Sequence, residues 1–279
     1  KMLVVKQFPA GSMSVNTSDW LKINRDSWNQ RTKIHLSSGF YDVQGFKNGN
    51  DSLNTIELKL LGDIKNQKIL HLQCHFGMDT LSLEKRGAIV TGVDFSEDAI
   101  AYAKTLKKEM GLKSEFICSN VYDLDLTKSN EFDKLFCSYG ICGWLPNLDK
   151  WGEIISKHLK SGSTFTIVDF HPAVWMYDDD FNNITYSYFN DKPYVEVESG
   201  SYASRNEKEE ITSIWWNHSL SEITQSLLNN DLNLISFDEY DYSPYDCFRN
   251  TLKISDRKYR IKHLDNKIPM VYSMVFRKK

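Results

Sequence analysis

Long apolar runs are missing from this sequence of 279 residues, and no stretch approaches the length a membrane-spanning helix needs. A signal-peptide pattern is absent as well, so a cytoplasmic protein is expected. Nor is there an excess of positive charge: the formal net charge is −3, the pI is near 6.2, and no long basic run makes a local footprint for nucleic acid. Cysteine is sparse and odd in number, at five. Cys74, Cys118, Cys137, Cys142 and Cys247 fall mostly within or just after apolar runs, as free thiols do in a reducing compartment. No paired Cys-x-x-Cys occurs and no His-x-x-x-His falls on a helix, and the nearest cluster, His71, Cys74 and His75, does not share one face. No metal is expected. A cysteine hydrolase lacks support too, because no cysteine has a recognisable base beside it.

What is present centres on Lys68 to Ser96, KILHLQCHFGMDTLSLEKRGAIVTGVDFS. Ile69 to Leu72 reads as a strand, Gln73 to Gly77 as a tight turn, and the segment from Asp79 as a helix burying Leu81, Leu83 and Ala88. Ile89 to Val93 is a second strand, and it ends on Asp94. This is the order of a nucleotide-binding βαβ unit. Unpaired N–H groups at the helix start favour the polar part of a ligand. Asp94, about twenty residues on, can accept both hydroxyls of a ribose. A dinucleotide fingerprint needs three glycines in G-x-G-x-x-G, and only Gly77 is found here, which argues against a pyrophosphate and a nucleotide-dependent oxidoreductase.

With these residues the chain resembles the class I S-adenosylmethionine-dependent methyltransferases. Against that family's first motif, His71 stands where an acid is usual, Gln73 and His75 replace the first two glycines, and Gly77 keeps the third. Val93 to Ser96 (VDFS) and Ser119 to Leu124 (SNVYDL) match further along. The resemblance implies a doubly wound, Rossmann-like α/β sheet, mostly parallel with an antiparallel last strand, and S-adenosylmethionine as cofactor. It also implies that Asn120 meets the adenine amino group while the Val121 backbone touches the ring. Phe95 is placed to pack on an adenine face, with a core role as its alternative. Gln73, Cys74, His75, Gly77 and Asp94 complete the expected cofactor contacts, with Ser138 near the methionine portion. Tyr41 and Trp28, from a polar, aromatic-dotted arm at residues 13–51, are candidates to cover it.

Lys1 to Ser12 reads as an expression-tag remnant before Met13, and 13–279 as one domain. Helices are expected over Trp20 to Trp28, Ser52 to Leu61, Ser96 to Met110, Asp149 to Leu159 and Ser219 to Asn229, with Ser37 to Asn50 a loop. Further strands are expected at Glu115 to Cys118, Phe132 to Tyr139, Thr164 to Asp169, Leu232 to Tyr240 and Met270 to Phe276. Residues 172–217 break the core pattern. This aromatic-rich cap insertion, with short strands suggested by alternation at Ile184, Tyr186 and Tyr188 and again at Tyr194, Val195 and Val197, reads as a substrate lid or a dimer face. Trp144, Trp175, Trp216, His218 and Tyr245 are the candidate acceptor contacts. His171, just past the fifth strand, is the first candidate base, with Tyr139 as a positioning group and His218 behind both. The expectation is methyl transfer to an O, N or S atom of a small molecule by a monomer or homodimer, without nucleic acid or membrane. Two alternatives stay open: a non-catalytic cofactor-binding or regulatory protein, which the altered first motif allows, and a nucleotide-dependent oxidoreductase, which nicotinamide binding would revive.

Overall fold

The computed structural model describes residues 17–126, 131–190, 192–205 and 208–279; the expected tag remnant lies outside them. Three helices come first, α1 (Trp20–Ser37), α2 (Val43–Lys47) and α3 (Thr55–Leu61). The central unit is β1 (Lys68–Leu72), α4 (Met78–Lys85), β2 (Ile89–Asp94), α5 (Glu97–Glu109), β3 (Glu115–Cys118), β4 (Phe132–Ser138), α6 (Leu148–His158) and β5 (Leu159–Phe170). After β6 (Tyr194–Ser199) and β7 (Glu210–Trp215) come α7 (Leu220–Leu228) and β8 (Leu232–Tyr240). A hairpin of β9 (Thr251–Ser255) and β10 (Lys258–Ile261) precedes β11 (Val271–Lys278).

Seven strands form one sheet in the order β3-β2-β1-β4-β5-β11-β8. The first five pair in parallel, and β11 runs antiparallel between β5 and β8. This is the expected doubly wound, Rossmann-like sheet with a reversed last strand. Strand order turns back between β1 and β4, so the carboxyl ends of β1, β2 and β4 open at one crevice, where such sheets bind ligands.

Side-chain spacing explains the layers. Leu148, Trp151, Ile154 and Ile155 share the buried face of α6, and Trp151 meets Phe165 edge-on at 5.5 Å between ring centroids. On the other face, Ala99, Ile100, Ala103 and Leu106 of α5 pack with Leu81 and Phe116. Three N-caps set the helix starts: Ser96 Oγ accepts from the Ala99 N–H, Asn147 Oδ1 from Lys150 and Ser219 Oγ from Glu222. All five cysteines are free thiols. Among the described residues no helix is long and apolar enough to cross a membrane.

Three local expectations are corrected. Helix α1 runs on to Ser37, because its buried stripe is polar (Asn24, Ser27, Arg31, Thr32 and His35) and shows no apolar period. It packs on β7, where Asn24 exchanges two hydrogen bonds with the backbone of Ile214. The loop expected over Ser37 to Asn50 contains α2, which Asp42 caps through Gly45 N–H and which buries Phe46. Ile184 to Tyr188 is no strand; Ile184 makes one isolated bridge to Tyr177, and β6 pairs instead with β7.

Candidate active site

After Leu72 the chain turns through Gln73 at φ 54°, His75 at φ 50° and Gly77 at φ 83°. The two residues standing at glycine positions of the motif thus keep a left-handed backbone, a strain of order 1–3 kcal/mol each. Cross-strand bonds hold it. Cys74 N–H donates to Val93 O at 2.9 Å, His75 N–H to Asp94 Oδ2 at 2.8 Å, and Gly77 N–H to Cys74 O at 3.0 Å. The side chains are also tied: Gln73 Nε2 donates to Ile141 O at 3.3 Å, and His75 Nε2 lies 2.8 Å from His35 Nδ1 on α1. Gly77 has no such freedom, since a Cβ there would sit 2.5 Å from Phe116 Cε1. His71 is buried, bonds Thr80 Oγ1 at 2.8 Å, and is held neutral by a pKa that burial lowers to about 3.

Asp94 closes β2 and is buried. Its Oδ1 accepts from Ser96 N–H at 2.9 Å and its Oδ2 from His75 N–H, so the carboxylate fixes the motif loop while keeping lone pairs for a ligand. Burial pushes it up to about 6, against the lowering by those N–H donors. The sign follows: a raised folded-state pKa favours folding fully below the ordinary value of 3.8 and loses that contribution as pH rises through about 6. Ligand binding to the carboxylate runs the other way. Affinity for S-adenosylhomocysteine is expected to fall about tenfold between pH 7 and pH 5, as calorimetry would show, and to stay flat in Asp94→Asn.

A cavity of about 770 Å³ runs from Asp94 and Phe95 past Gln73, Cys74, His75 and Gly77 to the ends of β4 and β5 and into the cap. Trp28, Tyr41, Ser138 and Tyr139 line it, as do Trp144, Trp175, Trp216 and Tyr245. Asn120 and Val121 line a separate slot of about 30 Å³ together with Phe95, Trp20 and Trp144. The Asn120 amide is already engaged there, accepting from Tyr122 N–H at 3.3 Å and donating to Asp123 Oδ2 at 3.0 Å.

Two candidate histidines lie away from the cavity. His171 lines neither cavity: its Nδ1 accepts from Ala173 N–H at 3.0 Å, which leaves Nε2 to donate to Glu239 Oε1 at 2.9 Å. His218, also away from both, lies with Nε2 2.7 Å from Leu145 O and Nδ1 2.9 Å from Glu222 Oε1, stapling α7 to the loop after β4. Both ring nitrogens of each are thus engaged in structure. His171→Ala is expected to cost about 1–3 kcal/mol of stability through the orphaned partners, with S-adenosylhomocysteine affinity within about twofold of the parent. Thermal unfolding beside turnover checks this; lost turnover at unchanged stability would return His171 to the chemistry.

Several buried groups escape a sequence reading, and Asp169 and Asp79 among them line the cavity. Asp169 Oδ2 accepts from the N–H groups of Ile141 and Cys142 at 3.1 Å each and Oδ1 from Gly140, shaping the turn after β4. Asp79 accepts from Ser138 Oγ at 3.0 Å, and burial raises its pKa. Glu57, fully buried, is pushed up to about 7 by burial and then by Asp79. Among the described residues, its Oε2 and the Tyr139 hydroxyl are both buried with no hydrogen-bond partner. Burial lifts the Tyr139 phenol well above its ordinary range, so it stays protonated and can position a ligand rather than act as a phenolate base. The one sequence signal for Glu57 was its N-x-x-E spacing after Asn54, a capping box.

Comparison with known proteins agrees with this geometry. Residues 69–162 match the family model described as "Methyltransferase domain". The chain is 24% identical over 128 residues to the ubiquinone biosynthesis O-methyltransferase of Escherichia coli, covering 44% of this chain and 53% of that protein. It is 31% identical over 88 residues to the Coxiella burnetii protein of the same name, covering 30% and 37%. The chain thus spans about half the length of the first of these relatives, or less in the second. Among solved structures, geranyl diphosphate C-methyltransferase from Streptomyces coelicolor, in complex with Mg2+, geranyl diphosphate and S-adenosyl-L-homocysteine, superposes with TM-score 0.58 at 12% identity, covering 97% of this chain and 100% of that one. A S-adenosylmethionine-dependent methyltransferase from Clostridium acetobutylicum gives TM-score 0.54 at 14% identity, covering 91% and 98%. Residues 69–162 thus match a methyltransferase domain, and the fold is the one these methyltransferase structures share.

Proposed function

We propose that the protein transfers a methyl group from S-adenosylmethionine to an oxygen, nitrogen or sulfur atom of a small molecule held beneath the cap. One observation carries this reading: the Asp94 end and the aromatic cap belong to a single cavity. A donor on the Asp94 side and an acceptor on the cap side would therefore meet inside the protein, near Ser138 and Tyr139.

The residues fit the cofactor. Asp94 presents a carboxylate to ribose hydroxyls, and Phe95 offers a ring at the slot beside it. Gln73 Oε1 and His75 Nδ1 are buried polar atoms on the wall between ribose and cap, without hydrogen-bond partners among the described residues. S-adenosylmethionine, when bound, supplies a methyl carbon on a positively charged sulfur. Little acid–base help is needed with so good a leaving group, so positioning and exclusion of water carry much of the rate. Trp28 and Tyr41 close the cavity from the N-terminal arm; Tyr41 meets Tyr202 of the cap hydroxyl to hydroxyl at 2.5 Å. His75, His35 and Trp28 pack edge to face over the motif loop, at 5.1 Å for each His75 contact. The names of the curated relatives favour oxygen as the methylated atom.

The test is release of S-adenosylhomocysteine across a panel of small phenols, thiols and amines. Turnover with one of these classes supports the reading. Silence throughout, with methyl label passing into RNA or protein instead, would refute it.

A further inference from the structure

The β6–β7 hairpin turns one face to the cavity. Its register sets Tyr194 opposite Trp215, Glu196 opposite Ser213 and Glu198 opposite Ile211, and strand alternation puts these six side chains on one side. Glu196, Glu198, Ser213 and Trp215 line the cavity. Two carboxylates therefore stand side by side on its wall, and the protein neutralises one of them. Arg31, reaching from α1, places Nη2 3.1 Å from Glu198 Oε2 and donates to Ser213 Oγ at 3.0 Å. Asp179, farther along the wall, pairs with Arg249 at 3.2 Å. Glu196 accepts the Tyr186 hydroxyl, but among the described residues it forms no ion pair. Beside it stands an aromatic wall. Ring centroids lie 5.1 Å apart for Tyr186 and Trp215, 5.0 Å for Tyr186 and Tyr194, and 4.8 Å for Tyr194 and Trp215.

A carboxylate taken partly out of water without a cation is costly, and proteins keep such groups where a charge arrives from outside. Burial first, then the like charges of Glu198 and Asp179, push Glu196 up to about 7, the direction expected where no cation stands beside it. A metal ion is a poor match. Among the described residues no three His, Cys, Asp or Glu side chains converge to hold one, and hard cations ask for six or more oxygens. An organic ammonium matches both halves, since it pairs with a carboxylate and is drawn to aromatic faces.

We infer that Glu196, with Tyr186 and Trp215, anchors an ammonium group on the acceptor, making the substrate an amine-bearing small molecule. The inference rests on the methyl-transfer reading for its word "acceptor", while the ammonium site stands on the hairpin alone. The ammonium is the anchoring group; the methylated atom lies elsewhere on the same molecule.

The test uses the whole protein and two probes of one shape, phenethylammonium and 2-phenylethanol, followed by tryptophan fluorescence and calorimetry. The ammonium is expected to bind about tenfold or more tighter than the alcohol, and Glu196→Gln to erase that difference while S-adenosylhomocysteine affinity stays within about twofold of the parent. Should Glu196→Gln fail to fold, the comparison on the parent protein still decides, with Trp215→Leu as the second variant, expected to weaken the ammonium alone. Equal binding of the two probes, or a preference that survives Glu196→Gln, overturns the ammonium site. If S-adenosylhomocysteine binds and the ammonium does not, this inference fails and the methyl-transfer reading stands; the reverse result sinks that reading and keeps the site.

Discussion

Gly77→Val is expected to abolish binding of S-adenosylhomocysteine and to remove much of the protein's stability. Two independent conflicts meet at this position. The backbone is left-handed, at φ 83°, where a β-branched side chain is a steric outlier. The added Cβ would also lie 2.5 and 2.6 Å from two atoms of the Phe116 ring and 3.0 Å from Ala103 Cβ, inside the core between α5 and the sheet. Backbone strain and overpacking together come to roughly 2–6 kcal/mol, a large part of the 5–15 kcal/mol typical of a folded domain. Because Gly77 also starts α4, any relief found by shifting the loop moves the N–H groups and the His75 backbone beside Asp94, where the cofactor is proposed to bind. Denaturant unfolding beside calorimetry reads both effects. Near-parent stability with intact binding would mean that the loop is not tied to Phe116 as described.

Asp94→Ala should leave a folded protein that binds S-adenosylhomocysteine at least about a hundredfold more weakly. Hydrogen bonds to a charged group contribute about 1.5–3 kcal/mol each, and a ribose diol would make two. The substitution also takes the acceptors away from Ser96 and His75 N–H, at 2.9 and 2.8 Å, and so slackens the loop that the ligand must meet. Asp94→Asn separates these contributions: it keeps an acceptor and the size of the side chain, and should lose less than Asp94→Ala. Equal affinity for parent and Asp94→Ala would remove Asp94 from the site.

The legibility of this chain follows what each signal depends on. Ile69 to Asp94 could be read because strands, turn and acid recur at a spacing that backbone geometry dictates. The same holds for Ser219, whose capping role is local, and for the reversed last strand, which the resemblance supplied. Helix α1 beyond Trp28 could not be read, since the groups it buries are polar and their partners, Ile214 and Ser213, lie almost two hundred residues away. His171 and His218 show the opposite failure. The place of His171 past the fifth strand and of His218 just before a helix is visible in sequence, but the two partners that occupy each ring, Ala173 N–H and Glu239, Leu145 O and Glu222, are set by tertiary packing. Gln73 and His75 looked like lost glycines; the backbone retained the glycine conformation, at φ 54° and 50°, and turned the side chains to Ile141 and His35.

The most direct measurement is calorimetric titration of the whole protein with S-adenosylmethionine and S-adenosylhomocysteine, with NADH as control. Micromolar binding of both sulfur ligands and none of NADH is the predicted result. No heat from either sulfur ligand, or a preference for NADH, would contradict the assignment of the Asp94 crevice to a methyl donor.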